Sequence, residues 1–299
     1  MLRRILFATD LSTYARAVLD CVVGLGRFGV QEVVLLHVVD QALSYVEGAA
    51  GFDVIGQLKL DAQRALAEEA RRLGGQGFAV QTRLEVGAPA REIVRVAEEE
   101  DVALIVVGAY GRSLLRDVLL GSVAERVLHL ARRPVLIERP RVLSELGEVA
   151  CQRRGAQTFV RVLLPTDFSP AAALAQRFVA GLRGAGLAEV VILHVLEESV
   201  LGGRPPRQVE RLVRDAQVRL GKIVAELSGQ GIEARGRLER GAPVGKIVEI
   251  AEEEEVGSIV MGSRGRGIVA ELLLGSVAEG VARRARGPVV IVPARGAGQ

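Results

Sequence analysis

Arg4-Ile5-Leu6-Phe7-Ala8-Thr9-Asp10-Leu11-Ser12 returns later in the chain as Arg161-Val162-Leu163-Leu164-Pro165-Thr166-Asp167-Phe168-Ser169. Each stretch is a short apolar run closed by Thr-Asp-x-Ser. That pattern reads as a buried strand leading into a helix that a serine can cap. The correspondence continues outward in the same order. Val34-Leu35-Leu36-His37-Val38 matches Val191-Ile192-Leu193-His194-Val195, and Gly87-Ala88-Pro89 matches Gly241-Ala242-Pro243. Leu119-Leu120-Gly121-Ser122-Val123-Ala124-Glu125 then matches Leu273-Leu274-Gly275-Ser276-Val277-Ala278-Glu279. Conserved order across the two halves means duplication.

Within each half, β-rich runs alternate with amphipathic stretches. In the first half the pattern predicts strands near 3–9, 32–39, 79–86, 103–108 and 134–138, and helices near 13–27, 55–74, 89–100 and 121–132. Alternation of this kind builds βαβ units, a parallel sheet and helices on both of its faces. Ala103-Leu104-Ile105-Val106-Val107 and Ser258-Ile259-Val260-Met261 are apolar without a period of two, as strands covered on both sides should be. Arg132-Arg133-Pro134 and Arg286-Gly287-Pro288 read as helix stops. The expected fold is α/β: two tandem doubly wound domains, each with a five-stranded parallel sheet. Their expected extents are 1–139 and 159–295, joined by a linker over 140–158 that is rich in charge, poor in period and open to a short helical turn. The residues after Ala294 read as a frayed tail.

The chain has 299 residues, 49% of them hydrophobic and 25% charged, enough for two real cores. A net charge of +3 gives no electrostatic reason to expect nucleic acid or a membrane as a partner. The first apolar run is too short for a signal peptide and no run is long enough to span a bilayer, so the expected location is the cytoplasm. Cys21 falls on a helical apolar stripe and Cys151 falls in the linker. No disulfide framework is expected from that pair, in keeping with a reducing compartment.

After the fourth strand the first half reads Gly108-Ala109-Tyr110-Gly111, then nine residues, then Gly121-Ser122. The second half reads Gly262-Ser263-Arg264-Gly265, nine residues, then Gly275-Ser276. Glycines at a strand's carboxyl end allow positive φ and let backbone N–H groups approach a ligand closely. The later Gly-Ser pair opens a helix, whose unpaired N–H groups and positive dipole end attract phosphate. Ser122 and Ser276 add hydroxyl donors there. The alternative is that these are turn and cap glycines with no ligand.

The G-x2-G-x9-G-(S/T) spacing, the Thr-Asp-x-Ser strand end, Leu-His-Val, Gly-x-Pro and Leu-Leu-Gly-Ser-Val together resemble the ATP-binding universal stress proteins, across nearly the whole of both halves. The resemblance implies strand order 3-2-1-4-5 and a nucleotide, ATP or AMP with or without Mg²⁺, where strands 1 and 4 part. Carried over by position, it implies a first site from Ala8, Asp10, Val38, Gly108, Gly111, Arg112, Gly121, Ser122 and Val123. The second would use Pro165, Asp167, Val195, Gly262, Gly265, Arg266, Gly275, Ser276 and Val277. Ala8 departs from the family's proline, which the second half keeps as Pro165. The family also dimerises through its last strand. The apolar runs Val135-Leu136-Ile137 and Val289-Val290-Ile291-Val292 therefore lead us to expect the two halves to pair with each other, a homodimer of the tandem chain staying open.

Asp10 and Asp167 read either as helix starters, or as acceptors for adenine or ribose, or as groups that help hold a metal. His37 and His194 read as satisfied, half-buried histidines rather than catalytic ones, and His129 has no counterpart in the second half. The acidic runs 98–101 and 252–255 read as solvated faces, with Arg95 spaced to pair with Glu99. The favoured function is a nucleotide-dependent regulator or binding module of a stress response, with no assigned catalytic residue. The alternatives are a slow ATP hydrolase or nucleotidyl-transfer enzyme on the same fold, and a structural pseudo-dimer with unoccupied sites.

Overall fold

Residues 2–41, 54–110, 120–139, 148–265 and 274–294 are described by the computed structural model of the chain. The chain divides between Ala156 and Gln157 into two units. Unit 1 runs β1 (Arg4–Thr9), α1 (Thr13–Gly24), a 3-10 turn (Leu25–Phe28), β2 (Glu32–Asp40), α2 (Val54–Gly75), β3 (Ala79–Gly87), α3 (Pro89–Glu99), β4 (Leu104–Gly108), α4 (Ser122–Leu130), β5 (Val135–Glu138) and α5 (Glu148–Gly155). Unit 2 runs β6 (Arg161–Pro165), α6 (Pro170–Ala180), β7 (Glu189–Leu196), α7 (Glu198–Leu201), α8 (Pro206–Gly229), β8 (Glu233–Arg240), α9 (Pro243–Glu253), β9 (Ser258–Gly262), α10 (Ser276–Arg284) and β10 (Val289–Val292).

Strand order in unit 1 is β3-β2-β1-β4-β5, all parallel, with Leu6 opposite Val34 on one side and Ile105 on the other. Unit 2 repeats it as β8-β7-β6-β9-β10. The central strands carry the core: Ile5, Leu6, Leu104, Ile105, Val162, Leu163 and Val260 are all fully buried. Helices α1 and α2 lie together and are tied by Arg72, whose guanidinium donates to Asp20 at 2.5 Å and to Glu69. Helices α3 and α4 pack against one another as the other layer. The outer strands β3 and β8 consist almost wholly of exposed and half-buried residues, which suits a sheet edge.

Three departures from the sequence reading have clear causes. The helix expected over 13–27 ends at Gly24 and tightens into a 3-10 turn, closed by Gly29 at φ 88. Residues 148–155, where the linker reading allowed a short helical turn, form a helix of 8 residues that packs on α1 and buries Cys151. The acidic runs are only partly solvated. Glu100 accepts from Arg4, Arg83 and Gln81, with its side chain 13% exposed. Glu254 likewise accepts from Arg161, Arg235 and Arg237 at 11% exposure. These arginines supply the positive charge that the C-terminal ends of α3 and α9 favour. Arg95 does pair with Glu99, at 2.5 Å. Among the described residues, no helix is long and apolar enough to cross a membrane.

Candidate functional site

The Thr-Asp-x-Ser turn folds on itself identically in both units. Asp10 Oδ1 accepts from the Ser12 N–H at 3.0 Å, Thr9 Oγ1 from the Leu11 N–H at 3.0 Å, and Ser12 Oγ from the Ala15 N–H at 3.1 Å. In unit 2 the same three bonds join Asp167 to Ser169, Thr166 to Phe168 and Ser169 to Ala172, at 3.0, 3.0 and 3.2 Å. The bracing holds the residue after aspartate in the left-handed region, Leu11 at φ 61 and Phe168 at φ 62. So one oxygen of each aspartate is structural, as the helix-starting reading holds, while the carboxylate itself sits at the carboxyl end of the first strand of its unit.

The two strand-end histidines are likewise committed. Nδ1 of His37 donates to the Thr9 carbonyl at 2.8 Å, and Nδ1 of His194 donates to the Thr166 carbonyl at 2.7 Å. Each bond ties the end of the second strand to the end of the first, so these are positioning histidines.

In unit 2 these elements surround a cleft of about 640 Å³ at the carboxyl ends of β6, β7 and β9. Pro165, Asp167, Val195, Gly262, Gly265, Gly275, Ser276 and Val277 all line it; Arg266 lies outside the described residues. Its size is within the range typical of small-molecule sites. Glycine is needed here for close approach and not for positive φ. A Cβ on Gly262 would sit 2.5 Å from the Ala171 carbonyl oxygen, and one on Gly265 would sit 2.9 Å from Asp167 Oδ2. Gly275 is the N-cap of α10, at φ −86 and ψ 151, and no side chain caps the helix. Its own N–H donates to the Ser263 carbonyl at 2.7 Å, which fixes the loop end, while Ser276, Val277 and Ala278 of the first turn line the cleft and Ser276 is exposed.

Unit 1 places Ala8, Asp10, Val38, Gly108, Gly121, Ser122 and Val123 on the same elements; Gly111 and Arg112 lie outside the described residues. Gly121 caps α4 with no side-chain bond, and its N–H donates to the Ala109 carbonyl at 2.7 Å. The surroundings differ. Tyr110 stands where unit 2 has Arg264, and its ring packs edge-on against Tyr14 at 5.6 Å, with the Arg139 guanidinium 6.0 Å from its centre. Tyr14 is buried, and burial pushes its phenol well above the usual range. Burial likewise holds the Arg139 guanidinium below its usual value.

Phe168 and Arg219 are among the residues of the unit 2 cleft that sequence reasoning did not single out. Phe168 packs on His194 with ring centres 4.4 Å apart, and the Arg219 guanidinium lies 4.2 Å over the Phe168 ring. Unit 1 has Leu11 and Ala65 at these positions. Phe168 was readable inside the Thr-Asp-x-Ser motif as an aromatic where the repeat has leucine. Arg219 had no local signal, since it is one of several arginines on the long helix α8. Among the described residues, no group of three or more His, Cys, Asp or Glu side chains is placed to hold a metal ion.

The profile of the Universal stress protein family matches residues 1–139 and again residues 158–293. The chain belongs to that family. A universal stress protein of Methanocaldococcus jannaschii is 34% identical over 153 residues, which cover 46% of this chain and 94% of that protein. One from Mycolicibacterium smegmatis is 30% identical over 226 residues, covering 73% of this chain and 70% of that one. The crystal structure of a universal stress protein from Archaeoglobus fulgidus DSM 4304 matches with a TM-score of 0.74 at 29% identity, over 99% of this chain and 100% of that chain. The tandem organisation and the doubly wound fold therefore hold along the whole chain, and membership of a stress-protein family is its established identity.

Proposed function

We propose that each unit of this universal stress protein binds an adenine nucleotide, ATP or AMP, and that the chain works as a nucleotide-dependent binding module in the cytoplasm. The observation that carries this reading is the uncapped start of α10 at the floor of the unit 2 cleft, reached across glycines that leave no room for a Cβ. An N-terminus of this kind attracts phosphate through its N–H groups and its dipole. The N–H groups after Gly275, with the Ser276 hydroxyl, would hold the phosphates. Asp167 and the backbone at Val195 would hold ribose and base, between the apolar walls of Val195, Pro243 and Ile247.

In unit 1 the corresponding groups are Gly121, Ser122, Asp10 and Val38. We assign unit 2 the tighter site. It keeps Pro165, and Arg264 lines its cleft where unit 1 has Tyr110, a ring already engaged with Tyr14. A charge-assisted phosphate contact contributes about 1.5–3 kcal/mol when desolvated and less when exposed, and Arg264 is half-buried.

Titration calorimetry of the whole chain with Mg²⁺–ATP and with AMP tests the reading. Up to two nucleotides per chain are expected, in a tight and a weaker phase. No heat, and no thermal shift at millimolar nucleotide, would overturn it.

A further inference from the structure

The two cysteines of the chain, distant in sequence, meet inside unit 1. Cys21 lies on α1 at 0% exposure and Cys151 on α5 at 1%. The helices cross with their backbones almost touching: a Cβ on Gly155 would overlap the Cys21 carbonyl, and one on Gly24 would overlap the backbone of Gln152 and Ala156. Cys151 lies one turn before Gly155 on α5, so this crossing sets it against the stretch of α1 that carries Cys21, and both cysteines are free thiols. Nothing in the nucleotide site uses them. A buried thiol usually packs as a small apolar group, and its reactivity rather than its packing sets what it can do.

We propose that Cys21 and Cys151 are a dithiol–disulfide couple, oxidised by hydroperoxides, whose closure fastens α5 onto α1. The groups facing the pair set its reactivity. Burial first, then the Glu138 carboxylate, push the Cys21 thiol up. Burial also raises Cys151, while the hydrogen bond from Cys21 and the charge of Arg154 oppose the rise, with Asp20 and Glu138 adding to it. The hydrogen bond from Cys21 favours the thiolate at Cys151, and the thiolate is the attacking form. Cys151 also sits on the element that opens more readily. A helix of 8 residues is marginal without its packing partner, so α5 lifts before α1 does.

In the lifted state the Cys151 thiolate attacks the peroxide O–O bond, giving Cys151 sulfenic acid and releasing the alcohol, or water from hydrogen peroxide. When α5 recloses, the Cys21 sulfur displaces the sulfenic oxygen. The Cys21 proton leaves with that oxygen as water, and the S–S bond forms. Two thiols are oxidised and one hydroperoxide is reduced. Closure links residues 130 positions apart and restrains the unfolded chain.

The test uses the reduced full-length chain, cumene hydroperoxide or hydrogen peroxide, and non-reducing peptide mass mapping under native conditions. The expected product is a single intramolecular Cys21–Cys151 peptide pair lacking two hydrogens, reversed by dithiothreitol. Its formation raises the unfolding midpoint of unit 1 by several degrees. In C21S, Cys151 is trapped by dimedone as a sulfenic acid; in C151S, Cys21 stays unlabelled over the same time. Intermolecular disulfides, over-oxidised unlinked sulfurs, thiols that remain free, or a crosslink that forms only in denaturant would each overturn the proposal. Calorimetry with nucleotide is indifferent to all of these outcomes.

Discussion

Replacing Glu138 by glutamine isolates one buried charge. Glu138 ends β5 at 1% exposure, and neither of its carboxylate oxygens has a well-formed hydrogen bond. Burial pushes its carboxyl up from 4.5 to about 7, with the Arg154 charge and the approach of the Arg139 backbone N–H opposing only part of the rise. The folded protein therefore keeps this proton to higher pH than the unfolded chain does. The stability it confers is fully present below about pH 4.5 and is lost as pH rises through about 7. At about 1.4 kcal/mol per pH unit, the loss amounts to about 3 kcal/mol by pH 8.5.

Glutamine carries no titrating proton, so the difference in stability between wild type and E138Q should change by about 3 kcal/mol between pH 5 and 8.5. Any constant cost of burying the amide cancels in that difference. Urea unfolding at a series of pH values measures it. The tyrosines, Tyr14, Tyr45 and Tyr110, all fall in the first half and there is no tryptophan, so intrinsic fluorescence reports unit 1 alone. A stability difference that stays flat across this range would refute the reasoning, and one that grows in the opposite direction would mean that Glu138 is charged and paired in the folded state.

Gly275→Val should abolish the tight nucleotide phase and Gly121→Val the weaker one; Gly275 is at extended φ and ψ that valine adopts, so the fold should survive. Calorimetry reads this, and the reverse assignment would place the tighter site in unit 1. Arg219→Ala removes the guanidinium stacked on Phe168 and should weaken the unit 2 phase several-fold, by the ~0.5–1 kcal/mol of an exposed cation–π contact; unchanged affinity would show that the stack does not shape the site. Glu254→Gln should cost about 1–3 kcal/mol, less in high salt, because three arginines lose their shared carboxylate. Since the Arg235 hydrogen bond holds this carboxyl below the usual range, the wild-type contribution is present near neutrality and is lost in acid as pH falls through the depressed value. Denaturant titrations at pH 7 and in acid would expose an error in either statement. Ser169→Ala should cost about 1 kcal/mol through loss of the α6 cap, measured by thermal unfolding.

The strands were legible because their apolar runs are unbroken and their partners recur in order. Ile5-Leu6-Phe7 and Val162-Leu163-Leu164 could only be interior, and the glycine spacing gave the sheet end where the cleft lies. The reason for those glycines was not legible. Positive φ and close approach of a ligand were the expectations, whereas at Gly262 and Gly265 φ is negative and the Ala171 backbone and the Asp167 carboxylate lie close to where a Cβ would sit. Long-range relations were also silent. Cys151 looked like a linker residue because nothing local shows that Gly155 lets α5 rest on α1. Of the arginines that gather on Glu100 and Glu254, Arg4 and Arg161 come from strands more than 90 positions away, and the rest from the strand before the helix. Gly111, Arg112 and Arg266 lie outside the described residues, and ligand contact at every one of the site residues stands as a proposal.

The carboxylate hubs at Glu100 and Glu254 also bear on heat. Hydration of charged groups becomes less favourable as temperature rises, so the penalty for gathering them falls, while apolar burial gains little more. Each hub joins the start of a central strand, an edge strand and the end of a helix, on the side of the sheet away from the cleft. Warming therefore shifts weight onto that end of each unit and leaves the loop end, where ligand would add its own contacts, as the part that softens first. Calorimetric traces at low and high salt should diverge most on their hot side.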